Sequence, residues 1–306
     1  MNLVVAVVGP TGIGKSRLGL HLASTLGGEI INADSRQVYR YMDIGTDKPG
    51  PDERAGVAHH LIDIISPNES FSLARYQSLA SCAIEAVMQR GRLPVLVGGS
   101  GLYVWAVVEG WTIPKVPPNS ELRRRLEEKA AADGIGPLYR QLESLDPVSA
   151  RRINPHNLRR IIRALEVYEA TGKPPSQVQG KSPPAFDTLI IGLTAERSPL
   201  YRLIDRRVDD MMQRGLVAEV RRLADRGYGF DLPSMSSVGY RQIGRLIRGE
   251  MDLPAAVSQI KFETHRFARH QYAWFRLTDQ RIKWFDIQDD IEAGAVRLVR
   301  EKMQGS

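Results

Sequence analysis

Apolar positions along this chain fall into short runs separated by glycine-rich punctuation. Leu3 to Val8 is a continuous apolar run rich in valine, the pattern of a strand covered on both faces of a parallel sheet. Gly9 to Gly14 then leads into a predicted helix, Lys15–Leu26, stopped by Gly27-Gly28. Glu29 to Ala33 reads as a second strand, Ser72 to Arg90 as a helix closed by Gly91, and Leu93 to Val97 as a third strand ending in Gly98-Gly99. Such alternation predicts an α/β protein with a doubly wound parallel sheet flanked by helices. Thr188 to Leu193 supplies another strand only after a long interval.

That interval is bracketed by Pro114, Pro117 and Pro118 on one side and Pro183-Pro184 on the other, the punctuation of a domain edge. Within it, Ser120 to Ala132 follows Asn119 as a candidate N-cap, and Leu158 to Thr171 runs into Gly172 as a candidate C-cap. An all-helical insertion domain over residues 114–186 is expected, set into a core formed by 1–113 and 187–306. From Arg197 onward the pattern is mostly helical, with long stretches at 202–226 and 254–276.

Hydrophobic residues at 42% and charged residues at 25% exclude a disordered, collagen-like or coiled-coil chain. The first apolar run falls far short of the roughly 20 residues that span a bilayer. No basic segment precedes it, so a cytoplasmic protein without a membrane helix is expected. Cys82 is the only cysteine, which excludes an internal disulfide and a multi-cysteine zinc site. It is expected to lie buried and inert on its helix, and any metal is expected to be oxygen-bound. The net charge of +7 is uneven: −1 over residues 1–113, +3 over 114–196 and +5 over 197–306. This asymmetry fits either a polyanionic partner or plain solubility.

Gly9-Pro10-Thr11-Gly12-Ile13-Gly14-Lys15-Ser16 matches the phosphate-binding loop G-x-x-x-x-G-K-[ST], and it follows a strand and opens a helix as the mechanism requires. Backbone N–H groups and the helix N-terminus cradle a diphosphate, Lys15 neutralises its outer oxygens, and the Ser16 hydroxyl can coordinate Mg²⁺. Asp34 stands at the end of the second strand, the edge where open α/β sheets bind ligands. It is a candidate Mg²⁺ ligand, general base or capping residue. Val95-Leu96-Val97-Gly98-Gly99 carries no aspartate after its apolar run, so the residue that serves nucleotide hydrolysis in many phosphate-loop proteins is missing.

His59-His60 reads as structural, because adjacent side chains point apart and no third ligand is evident. In the last long helix Lys261, His265, Arg269, Tyr272 and Arg276 form a basic stripe beside an apolar one of Val257, Ile260, Phe267 and Trp274. Either nucleic-acid contact or a solvated basic face explains the stripe, and the same holds for Arg159, Arg160 and Arg163.

Taken together, these residues resemble the tRNA dimethylallyltransferases, also called isopentenyl-tRNA transferases. The shared words are the phosphate loop, Asp34-Ser35 with Gln37-Val38-Tyr39, Met42 to Thr46 with Lys48-Pro49, and His59 to Asp63. They continue through Gly98 to Tyr103, Arg163 to Val167, Val238-Gly239-Tyr240 and Ala268 to Arg276. The resemblance implies a P-loop NTPase-like fold and transfer of a dimethylallyl group from dimethylallyl diphosphate to N6 of adenosine 37 of tRNA, with Mg²⁺ and release of diphosphate. It implies Asp34 as the base, Arg207 and Ser16 with the leaving group, Ser16 as the metal contact, and a monomer. Implied tRNA contacts are Ser35, Arg36, Gln37, Gly101, Arg123, Arg159, Arg160, Arg163, Gly239, Tyr240, Arg241, Arg269, His270, Gln271, Trp274 and Arg276. Departures from the family's wording are Asp47 for alanine, Ser100 for threonine, Arg269-His270 for Lys-Arg and Ala273 for threonine. The rival readings are a small-molecule phosphate-loop kinase, which predicts ATP turnover, a transferase acting on free AMP or ADP, which needs no anticodon-binding surface, and a non-catalytic tRNA-binding protein.

Overall fold

The computed structural model describes residues 2–54 and 56–305. The chain forms two compact units, Met1–Val108 with Pro184–Ser306, and Glu109–Pro183. In the first, β1 (Leu3–Val8) leads to α1 (Lys15–Leu26), β2 (Gly28–Asn32), the two-residue β3 (His59–His60), α2 (Leu73–Gln89), β4 (Leu93–Val97) and α3 (Gly101–Val108). The second unit holds β5 (Trp111–Thr112), α4 (Ser120–Asp133), α5 (Gly136–Leu145), α6 (Pro147–Arg152), α7 (Leu158–Thr171), α8 (Pro175–Val178) and β6 (Gly180–Lys181). The chain returns to the first unit through β7 (Asp187–Thr194), α9 (Arg197–Gln213), α10 (Leu216–Asp225), α11 (Tyr240–Ile247), α12 (Leu253–Trp274), β8 (Ile282–Asp286) and α13 (Ile291–Gln304).

Six strands form one sheet in the order β3-β2-β4-β1-β7-β8, with every neighbouring pair parallel. Valine-rich β1 sits in the middle, Val5 in register with Val95 on one side and Leu189 on the other. It is buried at every residue, which is why its sequence is a continuous apolar run rather than an alternation. No helix among the described residues is long and apolar enough to cross a membrane.

In the mostly helical C-terminal region β8 adds an edge strand that the pattern did not reveal, because its residues are mostly half-buried and carry no strong apolar signal. Three expectations need correction. The helix expected over 202–226 is two, broken where Gly215 takes φ 96°, a left-handed conformation that favours glycine. Cys82 is exposed, because α2 buries Tyr76, Ala80, Ile84 and Val87 and residue 82 points away from that stripe. Phe267 is 46% exposed, since α12 buries Ala256, Ile260, Ala268 and Gln271, a stripe turned away from the one expected.

The second unit packs Leu122, Leu126, Leu138, Leu142, Ile161, Ile162 and Leu165 into its own core. Asn119 caps α4 through its side chain, accepting the Leu122 N–H at 3.0 Å, and Gly172 ends α7 in the left-handed region. The unit is not all-helical: Trp111–Thr112 and Gly180–Lys181 pair antiparallel where the chain enters and leaves.

Candidate active site

The carboxyl ends of β1, β2 and β4 meet at a cavity of about 460 Å³ within the first unit. Gly9 to Gly14 forms the turn after β1. A Cβ on Gly9 would lie 2.5 Å from the Leu193 carbonyl oxygen of the neighbouring strand, so a side chain there would force the loop off the sheet. Gly14 (φ 97°) caps α1 without a side-chain hydrogen bond, leaving first-turn N–H groups free to meet an anion. Lys15 folds back across the loop, its Nζ donating to the Pro10 carbonyl at 2.7 Å. Burial above all, and then the Arg207 guanidinium, lower its pKa to about 8, against opposing pulls from Asp34 and Asp47. Ser16 is exposed in the first turn of α1 and lines the cavity beside Thr11 and Lys15.

Arg207 reaches the same cavity from α9. Its Nη1 donates to the Thr11 hydroxyl at 2.7 Å, and its Nε lies 3.3 Å from an Asp47 carboxylate oxygen. Asp47 also faces Arg214 at 3.5 Å. Among the described residues it is one of four non-glycine residues with positive φ, together with Tyr41, Leu61 and Asp63, all between β2 and α2. Lys48 holds this segment in shape. Its buried Nζ donates at 2.6 Å to both Asp43 and Asp63 and at 2.8 Å to the Tyr39 carbonyl.

Asp34 follows β2 at the opposite wall. Asn32 accepts the Asp34 N–H at 2.9 Å, and the Asp34 Oδ1 accepts the Arg36 N–H at 2.8 Å, so one carboxylate oxygen is spent on the turn. Ser100 ties this turn to the end of β4 by accepting the Ser35 N–H at 3.0 Å. Gly98 allows the approach, because a Cβ there would sit 2.2 Å from Ala33 backbone atoms. Leu20, Ile30, Ile62 and Val97 add apolar lining to the same cavity. A phosphate-binding end, an apolar wall and the carboxylates of Asp34, Asp47 and Glu53 thus share a single space.

The other sequence-derived residues fall into distinct environments. Gln37 lines the cavity, donating to the Thr46 and Asp47 carbonyls, and Arg36 donates to the Pro233 carbonyl. Gly101 lies under Trp274, whose Cγ would be 2.3 Å from an added Cβ. Arg269 and His270 are exposed on α12, whereas Arg276, expected on the same helix, is exposed just beyond its end at Trp274. Arg241 is exposed, with Glu263 at 3.8 Å. Within the second unit, Arg159 and Arg160 are exposed and have no side-chain partner among the described residues.

Five of the residues implied as tRNA contacts are also engaged within the protein. Tyr240 is wholly buried. Its hydroxyl donates to Glu219 at 2.6 Å while the same carboxylate accepts the N–H groups of Asp43, Ile44 and Gly45. Burial pushes its phenol well above the ordinary value. Gly239 is buried too, at φ 93°. Gln271 is buried and spans two loops: its Oε1 accepts the Thr11 N–H at 2.8 Å and its Nε2 donates to the Gly99 carbonyl at 2.9 Å. Arg123 and Arg163 converge on buried Glu166, at 2.8 and 2.5 Å. Burial works against the charge of that carboxylate, but hydrogen bonds from Arg123, the Asn119 N–H and Arg163 prevail and hold its pKa at about 2.

A ring nitrogen of His59 lies 2.9 Å from the Val57 carbonyl and one of His60 lies 2.7 Å from Glu29, and His59 also lines the cavity. Sequence reading missed Glu219, the pairing of Asp47 with Arg207 and the bridging role of Gln271, because each acts on residues distant in the chain.

The sequence model of the IPP transferase family matches residues 37–278. A tRNA dimethylallyltransferase from Thermomicrobium roseum is 48% identical over 303 residues, covering 99% of this chain and 91% of its own. One from Herpetosiphon aurantiacus is 51% identical over 280 residues, 92% of this chain and 89% of its own. Among solved structures, a tRNA isopentenylpyrophosphate transferase from Bacillus halodurans aligns with TM-score 0.72 and 40% identity, covering 100% of this chain and 96% of that one. A eukaryotic dimethylallyltransferase acting on tRNA aligns with TM-score 0.80 and 27% identity over 98% of this chain and 78% of that one.

Proposed function

This chain belongs to the IPP transferase family, and from that premise we infer that it transfers a dimethylallyl group from dimethylallyl diphosphate to N6 of adenosine 37 of tRNA. The observation that carries the assignment of roles is the single cavity in which Lys15, Ser16 and Arg207 share space with Asp34 and an apolar wall. The diphosphate lies in the phosphate loop and the dimethylallyl chain against Ile30, Ile62 and Val97. The adenine enters on the Asp34 side.

The N6 lone pair is delocalised into the adenine ring, so the amine needs a proton acceptor as the new bond forms. N6 attacks C1 of the dimethylallyl group, the C–O bond to diphosphate breaks with its electron pair, and Asp34 takes the N6 proton. Negative charge grows on the leaving diphosphate. Lys15, Arg207 and the loop N–H groups line that place and stabilise the charge that develops there, Lys15 by exchanging the Pro10 carbonyl for the diphosphate. No γ-phosphoryl moves, which is why β4 can end in Gly98-Gly99 without an aspartate.

Mg²⁺ fits this donor set. The Ser16 hydroxyl is exposed to the cavity, the nearby carboxylates are oxygen donors, and among the described residues no cluster of three or more His, Cys, Asp or Glu competes for a metal. A hard cation that keeps most of its waters is commonly held by one or two protein oxygens plus substrate phosphates. Ser16 would hold it, and it would supply further neutralisation of the diphosphate.

The test is an incubation of the protein with Mg²⁺, radiolabelled dimethylallyl diphosphate and either unmodified tRNA or AMP. Label in tRNA, lost when adenosine 37 is replaced, is the expected result. Label in AMP alone would move the activity to free nucleotides, and no label with ATP consumed in a parallel tube would make the protein a kinase.

A further inference from the structure

Helices α9 and α12 lie side by side and antiparallel, and their facing side chains form a ladder at four-residue spacing. At the first rung Lys261 Nζ lies 2.7 Å from an Asp209 carboxylate oxygen. At the second, His265 Nε2 lies 2.8 Å from Asp205. At the third the acid is missing: Arg269 Nη1 donates instead to the hydroxyl of Tyr201, at 2.5 Å. The next position offers no acid either, because it pairs Arg197 with Ala273. Arg197 turns back and donates its Nε to the same Tyr201 oxygen at 3.1 Å, its guanidinium lying 5.2 Å from the Tyr201 ring centroid.

Two guanidiniums therefore converge on one neutral oxygen, and among the described residues neither has a carboxylate within ion-pairing distance. Both arginines are exposed. Each keeps N–H groups free, and the Tyr201 hydroxyl, having accepted two donors, still has its own proton to give. Tyr201 is held flat against the His265 ring, centroids 3.9 Å apart and planes 2° from parallel, so the cluster is rigid before any ligand arrives. Burial raises the Tyr201 pKa, yet the hydrogen bonds from Arg269 and Arg197 outweigh it and bring it below the ordinary value, as expected where positive charge is uncompensated.

Resting on the tRNA reading above, we propose that Arg197, Tyr201 and Arg269 form a preorganised site for one backbone phosphate of the tRNA, separate from the diphosphate site. α9 starts from the carboxyl end of β7, the strand beside β1, so the cluster opens on the edge of the sheet that carries the phosphate loop. Ten residues of α9 separate Arg197 from Arg207, about 15 Å along the helix axis. One bound diphosphate cannot reach both. Phosphodiester oxygens suit the cluster because paired guanidiniums offer planar, divergent donors and the phenol a third.

The experiment measures tRNA affinity by filter binding between 50 and 200 mM KCl, with the KM values for tRNA and for dimethylallyl diphosphate, for wild type, Arg197→Ala and Tyr201→Glu. Losing one phosphate contact should flatten the slope of log K against log salt by about 0.7–0.9. Tyr201→Glu restores the missing acid to the ladder and pairs with Arg269, so the variant should fold at least as well while losing about tenfold or more in affinity, the size of a charge-assisted hydrogen bond. The loss should fall on the KM for tRNA. Unchanged slope and affinity in Arg197→Ala, an exposed substitution that leaves the core intact, would overturn the proposal, as would a change confined to the KM for dimethylallyl diphosphate. If wild-type protein neither bound nor labelled tRNA, the functional reading itself would fail, so the two failures are distinguishable.

Discussion

Replacing Asp34 by asparagine isolates its chemistry from its architecture. The Asp34 Oδ1 accepts the Arg36 N–H at 2.8 Å, and an asparagine carbonyl oxygen can keep that bond. What asparagine lacks is the capacity to take the N6 proton. A general base contributes about 10²–10⁴ in rate, so kcat should fall by that factor, equivalent to about 3–5 kcal/mol of transition-state stabilisation. Asp34→Ala should lose the same chemistry and also the turn bond, adding about 0.5–1.5 kcal/mol of destabilisation that the asparagine variant is spared. Asp34 also raises the Lys15 pKa, which stands at about 8. Both variants should therefore leave Lys15 less fully charged and raise the KM for dimethylallyl diphosphate. Single-turnover label transfer to tRNA gives the chemical step, filter binding the tRNA affinity, and thermal melting the stability difference between the two variants. Turnover of Asp34→Asn within tenfold of wild type would refute the assignment of the base. Equal melting temperatures for the asparagine and alanine variants would refute the account of the turn.

Other expectations follow from the same geometry. Glu166 has a folded pKa of about 2 against an ordinary 4.5. Its depressed value contributes stability above pH 4.5 that is lost as pH falls toward 2, about 3 kcal/mol in all. Thermal melts across that window should show a fall in wild type that Glu166→Gln flattens; parallel curves would exclude Glu166 as the cause. Tyr240→Phe removes the donor to Glu219 at 2.6 Å and should cost about 1–3 kcal/mol in denaturant unfolding, with tRNA affinity per folded molecule unaltered. A selective loss of tRNA binding without destabilisation would instead support the tRNA contact that the family resemblance implied for Tyr240. Gly101→Ala places a Cβ 2.3 Å from Trp274 Cγ and should destabilise by about 1–3 kcal/mol; a neutral effect on melting would mean that the indole moves freely.

Much of the candidate site was legible because its signals are local. A phosphate loop is a strand, a turn of special φ values and a helix start within a dozen residues, and Gly9 to Ser16 carries all three. Asp34 and the glycines of Gly98 to Gly101 could be placed because strands in a parallel sheet present their carboxyl ends to a common edge. The basic stripe of α12 was visible as periodicity, but its rotation was not: Phe267 and Gln271 differ from Arg269 by less than one helical turn, and only packing decides which is buried. Cys82 shows the same limit on α2.

By itself, then, the sequence determined the elements whose stability comes from neighbours along the chain. These are the buried valine-rich strands, the left-handed glycine turns, the Asn119 and Gly172 caps, and the charge excess behind residue 113. The tertiary structure decided which polar side chains are spent inside the protein. Gln271 meets Thr11 across 260 positions, and Glu219 gathers Asp43, Ile44 and Gly45 from about 175 positions away. Arg163 meets Glu166 within α7, but Arg123 finds it only once α4 and α7 pack. The third rung of the α9–α12 ladder has no acid only because those two helices run antiparallel in one register. For the first three the physical reason is that a buried polar group must be satisfied by whatever the fold brings beside it, and in all four no periodicity along the chain records which residues the packing places opposite one another.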